Sequence, residues 1–384
     1  MSHPRPEVAV FYFPQYHVDP RNEAWHGKGW DEWRLVRAAT PRFPGHQQPK
    51  VPLWGYLDES DPATAEKQIA AAADHGVDAF IYDWYYYDDG PFLNRALDQG
   101  FLGAKNRQRL EFSLMWANHD WFNIFPFKRG NNDTLLKSGL VDEATFVAAT
   151  DYMIEKYFRQ PNYWRVQGGL FLSFYELMNL IQGLGGLAET RRIFDEFRDK
   201  VRRAGLGELH LNGVIWGIQN LPGEKTLERP EDAVKILGID SVTSYVWVHN
   251  VPLGDQQTRE YGPFAQEAIA DWPKIRDRFP VPYFPNVSMG WDSSPRTTQT
   301  DTHEALRYTY NPILVGNTPW EFRKALEAAK GYLDDSRSNP PILTINSWNE
   351  WTEGSYIEPD TVNGMGYLEA IKTVFGTKDE RPRS

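Results

Sequence analysis

The chain has 384 residues, with 41 Lys+Arg against 52 Asp+Glu and a net charge of −11. At 41% hydrophobic and 24% charged it is no disordered chain. An acidic balance with no Lys/Arg cluster speaks against nucleic acid or an anionic membrane as partner, and the lack of cysteine excludes disulfides, thiolate chemistry and Cys-ligated zinc.

Short apolar runs recur, each followed by a polar loop and a helical pattern. In chain order the predicted strands are Val8–Phe13, Ala79–Trp84, Phe112–Trp116, Leu170–Phe174, Leu211–Trp216, Ser241–Val246, Tyr283–Val287 and Ile342–Asn346. Most are apolar throughout, as expected of strands buried on both faces of a parallel sheet. Between them, Asp61-Pro62 caps a helix that Gly76 stops, and Thr318-Pro319-Trp320-Glu321 is a capping box opening another through Leu333. Phe146–Phe158, Glu189–Ala204 and Ala265–Phe279 carry the same periodicity. Eight strands alternating with helices predict an α/β fold, a single (β/α)8 TIM barrel over residues 1–375. Residues 376–384 are charged and read as a frayed tail. The competing open doubly wound sheet lacks a Gly-rich phosphate loop, since Pro14-Gln15-Tyr16-His17 follows the first strand. That strand opens a connection reaching about Ser60, and long loops at the C-terminal face of a barrel build active sites. No run approaches the ~18 apolar residues of a membrane span, and Val8–Phe13 is too short for a signal-peptide core, so a cytoplasmic location is expected.

The aromatic share stands out, with 15 Trp, 19 Tyr and 21 Phe. These rings cluster with polar groups at the predicted strand ends. The clusters are Tyr12 to His17, Tyr82 to Tyr87, Trp116 to Trp121, Tyr245 to Asn250, and Met289 to Asp292. Flat rings suit the C–H faces of sugars, and amide, imidazole and carboxylate groups suit their hydroxyls. The densest cluster follows the last strand: Trp348-Asn349-Glu350-Trp351-Thr352-Glu353, then Glu358. If the chain turns helically there, Glu350 and Glu353 share a face. Glycosidic cleavage needs such a carboxyl pair, and burial beside rings separates two acids' proton affinities. Glu350 and Glu353 are therefore the catalytic candidates. Candidates for substrate contact are Tyr12, Gln15, His17, His46, Asp83, Trp84, Trp116, Asn118, His119, Tyr245, Trp247, Trp291, Asp292, Trp348, Asn349 and Glu358. No His-x-x-x-His spacing around a Glu and no Gly-x-Ser-x-Gly elbow occurs, so no metal, cofactor or Ser nucleophile is expected.

Ala9 to His17, Trp25 to Trp33, Gly45-His46-Gln47-Gln48-Pro49, Trp116-Ala117-Asn118, and Trp348 to Gly354 through Glu358-Pro359-Asp360 resemble the WbsX-like group, relatives of glycoside hydrolase family 99. The resemblance spans about Val8 to Phe375. It implies a metal-independent barrel acting with retention on an α-linked oligosaccharide or polysaccharide. The family's two glutamates fall on Glu350, assigned to deprotonate the sugar 2-OH, and on Glu353, assigned to acid/base work. The attack of the 2-OH gives a 1,2-anhydro sugar and requires a trans arrangement, as in α-mannosides and α-rhamnosides. Two points depart from this. Asn118-His119 stands where relatives often carry Asn-Glu, and WbsX-like proteins have been called glycosyltransferases. Transfer from an activated sugar and a non-catalytic glycan-binding barrel are the alternatives.

Overall fold

The computed structural model describes residues 5–128, 134–302, 304–335 and 340–377. Its centre is a ring of parallel strands. β1 (Glu7–Tyr12), β2 (Ala79–Tyr87), β3 (Glu111–Trp116), β4 (Gly169–Phe174), β5 (Leu209–Val214) and β6 (Ser241–Thr243) pair in succession. The predicted seventh strand is two pieces, β7 (Tyr283–Phe284) and β8 (Asn286–Ser288), and the eighth is β9 (Ile342–Asn346). β7 pairs with β6, whereas β8 pairs with β9, which in turn pairs with β1. Pro285 sits at the break. Lacking an N–H it cannot continue both ladders, but its carbonyl accepts from Thr344 N at 2.9 Å. The seventh stave thus switches partners halfway along and closes the barrel.

Around the ring lie α1 (Pro62–Asp74), α2 (Glu143–Lys156), α3 (Leu187–Arg203), α4 (Pro230–Leu237), α5 (Tyr261–Arg278), α6 (Pro319–Leu333) and α7 (Gly366–Phe375). The caps read from sequence are formed: the Asp61 side chain accepts from Ala63 N, and that of Thr318 from Glu321 N. Between β2 and β3 a single π-helical turn, Ala96–Phe101, replaces a full helix. Strands end earlier than their apolar runs, as at Thr243 and Val214, because the residues beyond are recruited to the barrel mouth. Among the described residues no helix is long and apolar enough to cross a membrane. Residues 378–384, most of the predicted tail, lie outside the described residues.

Side chains alternate along each strand, so one residue faces the lumen and the next faces the helices. Asp83 pairs in register with Met115, and Trp84 with Trp116. The first pair lies on the lumen side, while both tryptophans pack outward under α2 and the π turn. The loop after β1 carries two short helices, Pro20–His26 and Trp33–Ala38, and folds over the mouth. From it Glu32, His46, Gln48 and Glu59 reach the segments that follow β8 and β9.

Candidate active site

A cleft of about 680 Å³ opens at the C-terminal ends of the strands. Its floor holds Glu350 and Glu353, each 4% exposed. They are not on an α-helix. Asn349–Glu350 pairs antiparallel with Ser355–Tyr356, and Trp351–Glu353 is a 3₁₀ turn inside that hairpin. Gly354 closes the turn at φ 62°, and a Cβ there would lie 2.6 Å from Asp292 Cβ. Only glycine fits that combination.

Asn349 fixes the hairpin to the barrel. Its Oδ1 accepts from Phe13 N, its Nδ2 donates to Phe13 O, both at 2.8 Å, and Nδ2 also reaches Glu59 Oε1 at 2.5 Å. Trp348 N donates to Phe11 O at 2.7 Å. The loop after β9 is thereby tied to the end of β1.

The two glutamates meet different neighbours. Glu353 Oε1 accepts from Arg296 Nη1 at 2.5 Å and from Tyr308 OH at 2.7 Å. Arg296 Nε donates to Glu32 Oε1 at 2.8 Å, and the guanidinium lies between the rings of Phe13 and Phe125. Burial works against its charge, yet Glu32, Tyr308 and the two glutamates outweigh burial and raise its proton affinity. Glu350 is 3.9 Å from Arg296 Nη2 and instead meets Tyr245 OH at 3.1 Å. Burial pushes the Glu350 carboxyl well above the ordinary carboxylate range; Glu353 and Asp83 add to the push and Arg296 opposes it. Tyr245 OH also lies 2.8 Å from Asp83 Oδ2, and burial raises Asp83 as well.

Rings and imidazoles wall the cleft. His119 stacks on Trp121 at 5.7 Å and meets Tyr175 edge-on at 5.6 Å. Its Nδ1 lies 2.8 Å from Asp120 O; a carbonyl only accepts, so Nδ1 carries the proton. Burial lowers its proton affinity, leaving a neutral ring with Nε2 as an acceptor. Opposite, Tyr175 OH donates to Glu224 Oε1 at 2.5 Å, and His249 Nε2 is 3.4 Å from the same oxygen. Burial would raise Glu224, but the adjacent imidazole wins and holds it low.

Of the residues singled out from sequence, Asp83, His119, Tyr245, Trp291, Glu350 and Glu353 line this cleft. His46 and Asp292 line a second, more polar hollow of about 930 Å³ on the far side of the Glu353–Gly354 strip. There His46 Nε2 and Gln48 Nε2 reach Asp292 Oδ2 at 2.8 and 2.7 Å. Burial alone would raise Asp292, but the His46 contact prevails and holds it below the usual carboxylate range. The other ten line neither hollow. Tyr12 OH donates to Gln68, whose amide donates to Glu358 Oε1 at 2.9 Å, and Glu358 Oε2 accepts from Trp351 Nε1. Trp84 and Trp116 face α2, Trp247 packs on Tyr261 and Phe264, and Trp348 packs on Phe80. Asn118 holds the Glu176 backbone, and Asn349 holds Phe13. Gln15 and His17 are buried, and their side chains meet no hydrogen-bond partner among the described residues. Arg296, Tyr308, Tyr175, Glu224 and Phe125 were not singled out from the sequence, and Trp121 was noticed only as the end of the Trp116 to Trp121 cluster. Arg296 lies four residues beyond Asp292, in a turn with no periodic signal. Among the described residues no three His, Asp or Glu side chains converge as a metal site.

The fold has solved counterparts. A GH99 endo-alpha-mannosidase from Bacteroides thetaiotaomicron, solved with bis-tris propane, superposes with TM-score 0.60 at 15% identity, covering 96% of this chain and 95% of that one. A structure described as a glycoside hydrolase-like protein gives TM-score 0.61 at 16% identity, covering 97% and 94%. At these identities the likeness concerns the barrel alone. By sequence, the uncharacterized protein WxcX of Xanthomonas campestris is 28% identical over 376 residues, 95% of this chain and 49% of that protein. The chain thus spans about half the length of the curated relatives it matches. Residues 8–371 match the family described as "Glycosyltransferase WbsX". With nearly its whole length inside that match, the chain belongs to the WbsX family.

Proposed function

We propose that this barrel is a glycoside hydrolase cleaving an α-linked manno- or rhamno-configured glycan with retention. One observation carries the reading. Two buried carboxyls share the floor of a ring-walled cleft, and a guanidinium and a phenol serve one while a phenol shared with a third acid serves the other. Glycoside hydrolysis needs such unequal carboxyls. In the reaction, Glu350 takes the proton of the sugar 2-OH, whose oxygen attacks the anomeric carbon to form a 1,2-anhydro sugar. Glu353, protonated on Oε2 when substrate is bound because Arg296 and Tyr308 both contact Oε1, gives that proton to the departing glycosidic oxygen, and the carboxylate so formed then takes a proton from the attacking water. Arg296 orients Glu353, and Trp291, Trp121 and His119 supply ring faces and a hydroxyl acceptor.

The family description favours a second reading, transfer from an activated sugar. A nucleotide diphosphate calls for uncommitted cations. The only Lys or Arg among the described residues lining the cleft is Arg296, already engaged by Glu32, Glu353 and Tyr308. A panel of α-mannosyl and α-rhamnosyl oligosaccharides, read by mass spectrometry, tests hydrolysis, and proton NMR of the first-formed anomer tests retention. Cleavage in water with no nucleotide supports the hydrolase. Calorimetric binding of nucleotide sugars, with the panel untouched, supports the transferase.

A further inference from the structure

Tyr245 stands between two acids. Its hydroxyl lies 2.8 Å from Asp83 Oδ2 and 3.1 Å from Glu350 Oε2. A phenol has one proton, and an ionised carboxylate can only accept. Tyr245 therefore donates to one acid, and the other contact is a hydrogen bond only if that acid is protonated and donates back. The surroundings agree. Asp83 is 3% and Glu350 4% exposed, and among the described residues Asp83 Oδ1 is buried without a hydrogen-bond partner and the nearest cation, Arg296, approaches Glu350 only to 3.9 Å. Two ionised carboxylates there would leave an acceptor unsatisfied and two like charges uncompensated. The other groups facing Tyr245 are the rings of Phe11 at 4.9 Å, Tyr175 at 5.4 Å and His249 at 6.5 Å, and the buried Tyr85 phenol, which also faces Asp83 and Glu350. Glu353 adds a further acid beside Glu350.

We infer that Asp83, Tyr245 and Glu350 hold one shared proton in the resting protein, and that Asp83 is the positioning residue that decides when Glu350 is free to act as a base. In one state Glu350 is the acid, donating to the Tyr245 oxygen while Tyr245 donates to Asp83. In the other, Asp83 is the acid and Tyr245 donates to the Glu350 carboxylate. Exchange between them moves two protons one step each along the chain, shifts the negative charge from Asp83 to Glu350 and leaves the total charge of the three groups unchanged. Only the second state presents a carboxylate to a substrate hydroxyl. The consequence for turnover rests on the proposed function; the shared proton does not.

Infrared difference spectroscopy of the free protein, titrated from acid to alkaline pH, reads that proton as a carboxylic-acid C=O band. The band lost between wild type and Glu350→Gln at neutral pH is the expected signature, since Asp83 then receives the whole Tyr245 bond and ionises. Asp83→Asn removes the neighbouring anion and the competitor for the Tyr245 proton, so the Glu350 midpoint falls by about one pH unit or more. Tyr245→Phe removes the donor alone and moves the midpoint up, and this opposite sign separates a shared proton from general damage. Neutral-pH bands identical in wild type, Glu350→Gln and Asp83→Asn would overturn the inference, as would midpoints displaced in the same direction in Asp83→Asn and Tyr245→Phe. Because no substrate is used, such a result leaves the hydrolase reading to its own rate measurements.

Discussion

Replacing Arg296 with methionine keeps most of the side chain's length and removes its charge. Arg296 is 3% exposed and ion-paired to Glu32 at 2.8 Å and to Glu353 at 2.5 Å. Without it two buried carboxyls lose their only close cation among the described residues. Breaking a buried pair from one side typically costs about 3–5 kcal/mol. Unfolding entropy of about 2.1 cal/mol/K per residue over 384 residues gives about 0.8 kcal/mol/K, so Tm should fall by roughly 4–6 °C. The loss should depend on pH. Burial already raises Glu32 above its ordinary value against the pull of Arg296, and removing Arg296 raises it further. A carboxyl raised in the folded state contributes stability that is present at low pH and is lost as pH climbs through the folded value. The Tm deficit should therefore be small near the ordinary glutamate range and widen toward pH 8. Differential scanning calorimetry of both proteins across that window measures it. An unchanged Tm at pH 8, or a deficit independent of pH, would refute the ion-pair account of this site.

Other expectations follow from the same geometry. Trp291→Ala should weaken oligosaccharide binding in calorimetry and, because the ring is buried against Tyr308, should also lower Tm, whereas Trp291→Phe should keep most of the stability and lose part of the affinity. Trp247→Ala removes a buried ring whose Nε1 donates to Asn286 O, and should cost about 3–5 kcal/mol of stability. Gly354→Ala should both lower Tm and reduce turnover, because its Cβ collides with Asp292 and moves Glu353; wild-type turnover in a folded variant would contradict the hairpin's role. His17, lowered by burial to about 4, stays neutral in the folded chain while the unfolded chain protonates it near its ordinary value. Stability should consequently drop as pH falls from about 6.5 to 4, and His17→Gln should flatten that acid limb in urea titrations.

The barrel could be read from sequence because parallel strands buried on both faces leave continuous apolar runs, and β1, β3, β4 and β9 fall where those runs fall. The break at Pro285 was not anticipated, since Tyr283 to Val287 reads as one run and only the ladders show that it changes partners. The site was legible in part for a related reason. An aromatic-and-polar cluster at a strand end mixes both faces of the strand. Asp83 and Tyr245 turn to the lumen, while Trp84 and Trp247 turn to the helices, and composition does not separate them. Asn349 and Glu358 were noticed beside the glutamates, yet they spend their polar atoms on Phe13, Glu59, Gln68 and Trp351. Arg296 and Tyr308 escaped notice because a lone Arg or Tyr in an irregular loop carries no periodic signal. Their importance lies in spatial convergence on Glu353.

The central claim is that Glu350 and Glu353 carry bond cleavage. Glu350→Gln and Glu353→Gln keep the volume and remove the proton chemistry, so each should lower turnover of a cleaved α-mannosyl or α-rhamnosyl oligosaccharide by about 10²–10⁴ while calorimetric affinity stays within a few-fold. Turnover by either variant at the wild-type rate would contradict the claim.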